Sequence, residues 1–111
     1  MREAKLHEAN LSRANLREVD LSWADLSRAN FLNSDLSKSD LRGAKLHSVD
    51  LRGVDLRRAY LYNANLKNAK IYSTNLNKKN LSKAELLEAA LDSAKFCKTT
   101  MPDGSINNDD C

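Results

Sequence analysis

The sequence predicts an all-β solenoid, in which the chain winds into stacked four-sided coils instead of folding around a globular core. Three observations predict it. A five-residue unit, reading small, Asp or Asn, large apolar, polar, polar, runs in phase from Ala4 to Lys98, nineteen copies in all. Its central position is Leu in sixteen copies and Phe31, Ile71 or Phe96 in the others. The position two before it is Ala in twelve copies, Val at 19, 49 and 54, Ser at 34 and 39, and Thr at 74; Lys79 is the one misfit. A short fixed period over most of a chain marks a repeat architecture.

A period of five suits neither regular element. On a helix each residue turns ~100°, so successive central leucines would spiral around the axis. On a strand they would alternate between faces. One interior shared by every Leu needs a turn in each unit, and a turn of roughly a right angle closes a coil in four units. The central residue and the small residue then point inward, where two side chains per unit must share a narrow space. Asp and Asn suit the corner because their short side chains accept bonds from nearby backbone N–H groups.

The unit, with these residues in these places, resembles the repeat of the pentapeptide-repeat proteins. The resemblance implies a right-handed quadrilateral β-solenoid. Nineteen units then make about 4.75 coils, a rod roughly 23 Å long at the ~4.8 Å spacing of stacked backbones. It implies a shared shape and no particular reaction.

Along the chain, Met1, Arg2 and Glu3 lead straight into the first unit. The sequence shows no leader and reads as cytoplasmic. It also shows nothing to cover the first coil, and solenoid ends need covering. That end is expected to pair two copies or to continue into a longer chain. The solenoid occupies residues 1–98, with core side chains Leu6, Leu11, Leu16, Leu21, Leu26, Phe31, Leu36, Leu41, Leu46, Leu51, Leu56, Leu61, Leu66, Ile71, Leu76, Leu81, Leu86, Leu91 and Phe96. Residues 99–111 read as a C-terminal cap and polar tail. Pro102, Asp103 and Gly104 signal a turn that folds Met101 and Ile106 over the last coil. Met-Pro-Asp-Gly resembles the close of many cyanobacterial family members. The tail from Asn107 to Cys111 reads as disordered. Cys97 and Cys111 are too few for a disulfide framework and read as free thiols.

With every fourth unit on one face, ladder neighbours are expected twenty residues apart. The first face alternates Lys5, Asp25, Lys45, Asn65 and Glu85. The second is nearly neutral, with Leu32, Arg52 and Tyr72 outward. The third is basic: Arg17, Lys38, Arg57, Arg58, Lys78, Lys95 and Lys98 outnumber Glu18, Asp35 and Asp55. The fourth collects Trp23, Arg42, Tyr60 and Tyr62, with Gly43 leaving room over the indole. Trp, Tyr and Arg dominate binding hot spots.

Enzyme chemistry finds no purchase here. His7 and His47 share a ladder two coils apart, too far for one metal ion. The carboxylates read as corner residues, no nucleophile–base pair presents itself, and no cofactor is expected. No apolar run is long enough to span a membrane. The composition therefore favours a non-catalytic protein-interaction scaffold, without a small-molecule substrate, whose candidate surface is Trp23, Arg42, Tyr60 and Tyr62 with Lys38, Arg57, Arg58 and Lys78. The alternative is an anion-binding surface, for nucleic acid or acidic membrane, on the basic third face. Some family members mimic DNA to shield gyrase; that needs an acidic rod, and a pI near 9.0 opposes it.

Overall fold

The computed structural model describes residues 1–76, 93–101 and 103–111. Each unit contributes one corner and one rung. Leu21 accepts a hydrogen bond from Ala24 N–H at 3.1 Å, and the same i to i+3 closure recurs from Ala4 to Ala69. The third residue of each such turn has positive φ, for example Trp23 at 61° and Arg58 at 62°. Positive φ at that position identifies a type II turn, which usually calls for Gly or Asn. Here fifteen of the described residues other than Gly adopt positive φ. Isolated left-handed residues cost energy, so the stack must hold them in place.

The stacking bonds do so. Asp25 N–H donates to Ala4 C=O at 2.8 Å, and Leu26 N–H donates to Lys45 C=O at 2.8 Å. Parallel bridges join residues twenty apart, from Lys5↔Asp25 to Asp55↔Asn75. The result is a β-solenoid with four rungs to a coil. Asp and Asn act as expected at the corners. Asp20 Oδ1 accepts from Ser22 N–H at 3.0 Å and from its hydroxyl at 2.6 Å, and Asn30 Oδ1 accepts from Leu32 N–H at 2.9 Å. The ladder also starts earlier than the unit count suggests: Ala4 N–H bonds Met1 C=O, and Glu3 N–H bonds Ser22 C=O.

The core is a column of apolar side chains. Leu21, Leu26, Phe31, Leu36, Leu41, Leu46, Leu51, Leu56, Leu61, Leu66, Ile71 and Leu76 are buried, and Leu6, Leu11, Leu16 and Phe96 are partly so. Burying each large side chain contributes about 1.5–3 kcal/mol. Ser34 and Ser39 take small inward positions, and their buried hydroxyls have no hydrogen-bond partner. Thr74 and Thr99 solve the same problem by donating to Leu51 C=O and Ile71 C=O. Leu81, Leu86, Leu91, Lys78, Lys79 and Glu85 lie outside the described residues.

Four expectations need correction at the C-terminal end. Strand β1 (Lys70–Tyr72) pairs in parallel with β2 (Lys95–Cys97), matching Ile71 with Phe96. Asn75 likewise bridges Thr100. The offset there is twenty-five residues, so Phe96 sits above Ile71 on the second face and not above Leu76 on the third. The sequence phase hides this, because an offset of twenty-five, like one of twenty, is a whole number of units and keeps the inward and outward letters in step. Lys79, the inward misfit, lies within the interval.

The tail is ordered. Strands β3 (Thr99–Thr100) and β4 (Ile106–Asn107) form an antiparallel pair. Beyond them the chain folds back on β2. Asp110 N–H donates to Phe96 C=O at 2.9 Å, and Phe96 N–H donates to Asp110 Oδ2 at 2.7 Å. Met101 packs against the core, but Ile106 is exposed and does not. Nor are the cysteines free: Cys97 and Cys111 form a disulfide, because the returning tail brings their Cα atoms to 5.0 Å.

Candidate functional site

The fourth face carries the largest exposed side chains of the repeat. Its backbone fixes their order. Glu3 N–H bonds Ser22 C=O, Trp23 N–H bonds Arg42 C=O, and Gly43 N–H bonds Tyr62 C=O. Arg2, Ser22, Arg42 and Tyr62 therefore form one column, with Ser22 buried, and Glu3, Trp23, Gly43 and Asn63 the next. Asp20, Asp40 and Tyr60 form the rung column beside them, with Asp40 bridged to Tyr60. The four residues singled out from the sequence on this face fall together.

The Trp23 indole leans toward the next coil and lies against Gly43. A Cβ on Gly43 would sit 2.5 Å from Trp23 Cε3, so only Gly leaves the ring its place. Trp23 stays 55% exposed, and Tyr60 and Tyr62 each 47%, which leaves half of every ring open to a partner. Arg42 lies between them. Its Nε donates to Asp40 Oδ1 at 2.9 Å, its terminal nitrogen donates to Asp40 Oδ2 at 2.6 Å, and its Cζ stands 5.9 Å from the Tyr60 ring centre. That is cation–π range. Arg2, Asp20, Ser22, Trp23, Arg42, Tyr62 and Asn63 line an open depression of about 380 Å³. Arg2, Asp20, Ser22 and Asn63 were not singled out from the sequence. Ser22 and Asp20 look like ordinary repeat letters there, and Arg2 precedes the first complete unit.

Electrostatics in the depression are balanced. Hydrogen bonds from the Arg42 guanidinium, then from its backbone N–H, hold the Asp40 carboxyl below the usual carboxylate range against partial burial. The Ser22 hydroxyl and backbone N–H do the same for Asp20. Both carboxylates are anionic at neutral pH and face Arg2 and Arg42.

The third face does not assemble the expected basic row. Lys38 stands over Glu18, with Nζ 3.9 Å from its carboxylate, and Arg17 lies 3.8 Å from Asp35. Arg57 commits its fork to Asp55 at 2.7 Å. The Arg57 side chain, then its backbone N–H, hold the Asp55 carboxyl low despite partial burial. Lys95 and Lys98 move to the second face, because Lys95 pairs with Lys70 and Ser73 N–H bonds Cys97 C=O. Lys78 lies outside the described residues. Of the row, Lys38 and Arg58 remain among the described residues, beside Glu18. Exposed pairs of this kind are each worth about 0–1 kcal/mol.

Elsewhere, His7 Nδ1 lies 3.9 Å from Asp25 Oδ2, and Ser27 stands between His7 and His47 in their column. Among the described residues, no group of three His, Cys, Asp or Glu side chains could hold a metal ion. Also among them, no helix is long and apolar enough to cross a membrane.

The family model for pentapeptide repeats matches the chain in eight copies over residues 4–43, 39–77 and 64–101. A pentapeptide repeat protein from Nostoc PCC 7120 is 33% identical, over 86% of this chain and 66% of that one, with a TM-score of 0.46. Another from the cyanobacterium Cyanothece 51142 is 23% identical, over 93% of this chain and 87% of that one, with a TM-score of 0.55. A third, from the thylakoid lumen of Arabidopsis thaliana, is 24% identical, over 97% of this chain and 72% of that one, with a TM-score of 0.45. No curated protein matches the chain.

Proposed function

The chain belongs to the pentapeptide-repeat family, and from that premise we propose that it is a non-catalytic scaffold whose protein partner sits on the Trp23–Arg42–Tyr60–Tyr62 corner. One observation carries the reading: three large aromatic side chains, each about half exposed, gather around Arg42 on a hydrogen-bonded backbone. Aromatic anchors held in place lose little freedom on binding, so more of the contact energy appears as affinity. The depression beside Trp23 offers a concave start for such a contact. With Arg57 tied to Asp55, and Lys95 and Lys98 on another face, the anionic-partner reading has lost much of its charge.

We also take residues 1–98 as the scaffold and residues 99–111 as its cap. The coils are taken as right-handed, as the family resemblance implies. The partly buried Leu6, Leu11 and Leu16 of the first coil favour pairing of two copies through that end. Light scattering that gives a monomer mass would remove that part of the proposal.

The test is a pull-down with three baits: the wild-type chain, Trp23→Ala with Tyr62→Ala, and Lys38→Glu with Arg58→Glu. The proposal expects one set of proteins to be kept by the first and third baits and lost by the second. Loss with the third bait alone would overturn it.

A further inference from the structure

The C-terminal tail completes the open edge of β2 with groups that a further coil would otherwise supply. Within the ladder, the central residue and the residue two beyond it each donate an N–H to the next coil, as Leu21 does to Asp40 C=O and Trp23 to Arg42 C=O. Phe96 and Lys98 are the corresponding residues on the last described coil of this face. Phe96 N–H donates to Asp110 Oδ2 at 2.7 Å and Lys98 N–H donates to Asn108 Oδ1 at 2.9 Å. Asp110 N–H adds a third bond by donating at 2.9 Å to Phe96 C=O, the carbonyl that in the repeat closes the turn. Two side chains thus take the acceptor places of a further coil, and the Cys97–Cys111 disulfide fastens the tail that carries them.

We infer that this disulfide is a redox latch, and that reducing it releases residues 108–111 and uncovers the edge of β2. Three hydrogen bonds at exposed residues are modest in water. They do not outweigh the freedom that four exposed terminal residues gain when untethered. The bond closes fourteen residues of separation and removes that freedom. Cys111 is exposed and Cys97 half-buried, so attack falls on Cys111 Sγ. A thiolate of a dithiol reductant bonds to Cys111 Sγ, and the Cys97 thiolate leaves. The second thiolate of the reductant then displaces Cys111, closing the reductant's own disulfide. Two electrons pass to the protein, and the two protons of the dithiol end on Cys97 and Cys111. The uncovered edge has unpaired N–H and C=O groups, the requirement for strand addition.

The experiment is amide hydrogen exchange on the full chain, oxidised and after dithiothreitol, with Cys111→Ser as a permanently open form. Phe96 and Lys98 amides should exchange at least tenfold faster in the reduced protein and in Cys111→Ser. Leu21 and Leu41 amides should not change. Removal of residues 108–111 sets the rate of a fully open edge. Equal protection of Phe96 and Lys98 in both redox states would overturn the inference, as would free thiols in protein purified under oxidising conditions.

Discussion

Replacing Gly43 with Ala should both destabilise the protein and dislodge Trp23, and the two effects can be separated. Gly43 has φ +68°, where a residue with a Cβ costs about 1–2 kcal/mol. The new Cβ would lie 2.5, 2.6 and 2.7 Å from three atoms of the indole, too close for the ring to remain. The ring is already 55% exposed, so it can swing off, giving up about 1 kcal/mol of contact with the backbone. The sum of about 2–3 kcal/mol should lower Tm by roughly 8–12 °C for a chain of this length. Trp23 is the only tryptophan, so its emission should shift to the red in the folded variant. In a Trp23→Ala background the clash is absent, and Gly43→Ala should cost the backbone part alone. A double-mutant cycle followed by circular dichroism should therefore give a coupling of about 1 kcal/mol. Equal costs in both backgrounds, with unchanged emission, would refute the packing of Trp23 on Gly43 and the preorganisation drawn from it.

Ser34→Ala and Ser39→Ala should each stabilise the fold by about 1 kcal/mol, because each removes a buried hydroxyl without a partner; a lower Tm in urea or thermal melts would mean that the hydroxyls are satisfied. Acid should destabilise the protein. Asp20, Asp25, Asp40 and Asp55 are held low by hydrogen bonds, and at Asp50 burial pushes up but the Arg52 bonds outweigh it. Folded values below unfolded ones stabilise above the ordinary carboxylate range of about 4, and that gain is lost as pH falls through the folded values. Tm should be flat near neutrality and fall steeply below about pH 4, and Asp40→Asn should make that fall shallower. A nuclear Overhauser contact should join Ile71 to Phe96, and one joining Leu76 to Phe96 instead would restore the uniform coil.

The inward letters were the legible part of the sequence. Leu, Ile or Phe at every fifth place cannot share an interior without a turn per unit, so the period alone led to the coil. The corner role of Asp20 or Asn30 followed from side-chain length. The turn conformation was harder to see. Gly43 and Gly53 advertise positive φ within the repeat and Asn33, Asn63 and Asn68 favour it, while Trp23, Arg58 and ten others among the described residues adopt it without a sequence sign. The twenty-five-residue offset left no trace in the phase. The ordered tail was masked by polarity. Asn108 and Asp110 read as solvent-loving letters, yet their spacing of two matches the N–H groups of Phe96 and Lys98. Reading the tail as disordered separated Cys111 from Cys97. At the candidate site, Trp23, Tyr60 and Tyr62 stood out as departures from the repeat. Arg2 and Asp20 did not, because their part depends on which coil lies above them.

The scaffold reading is tested most directly by titrating the recovered partner against wild type and Trp23→Ala at two salt concentrations. A hot-spot anchor predicts an affinity loss of about thirtyfold or more for Trp23→Ala, near 2 kcal/mol. It also predicts little change for the wild type between about 50 and 200 mM salt. Unchanged affinity for Trp23→Ala, with binding that collapses over the same salt range, would contradict it.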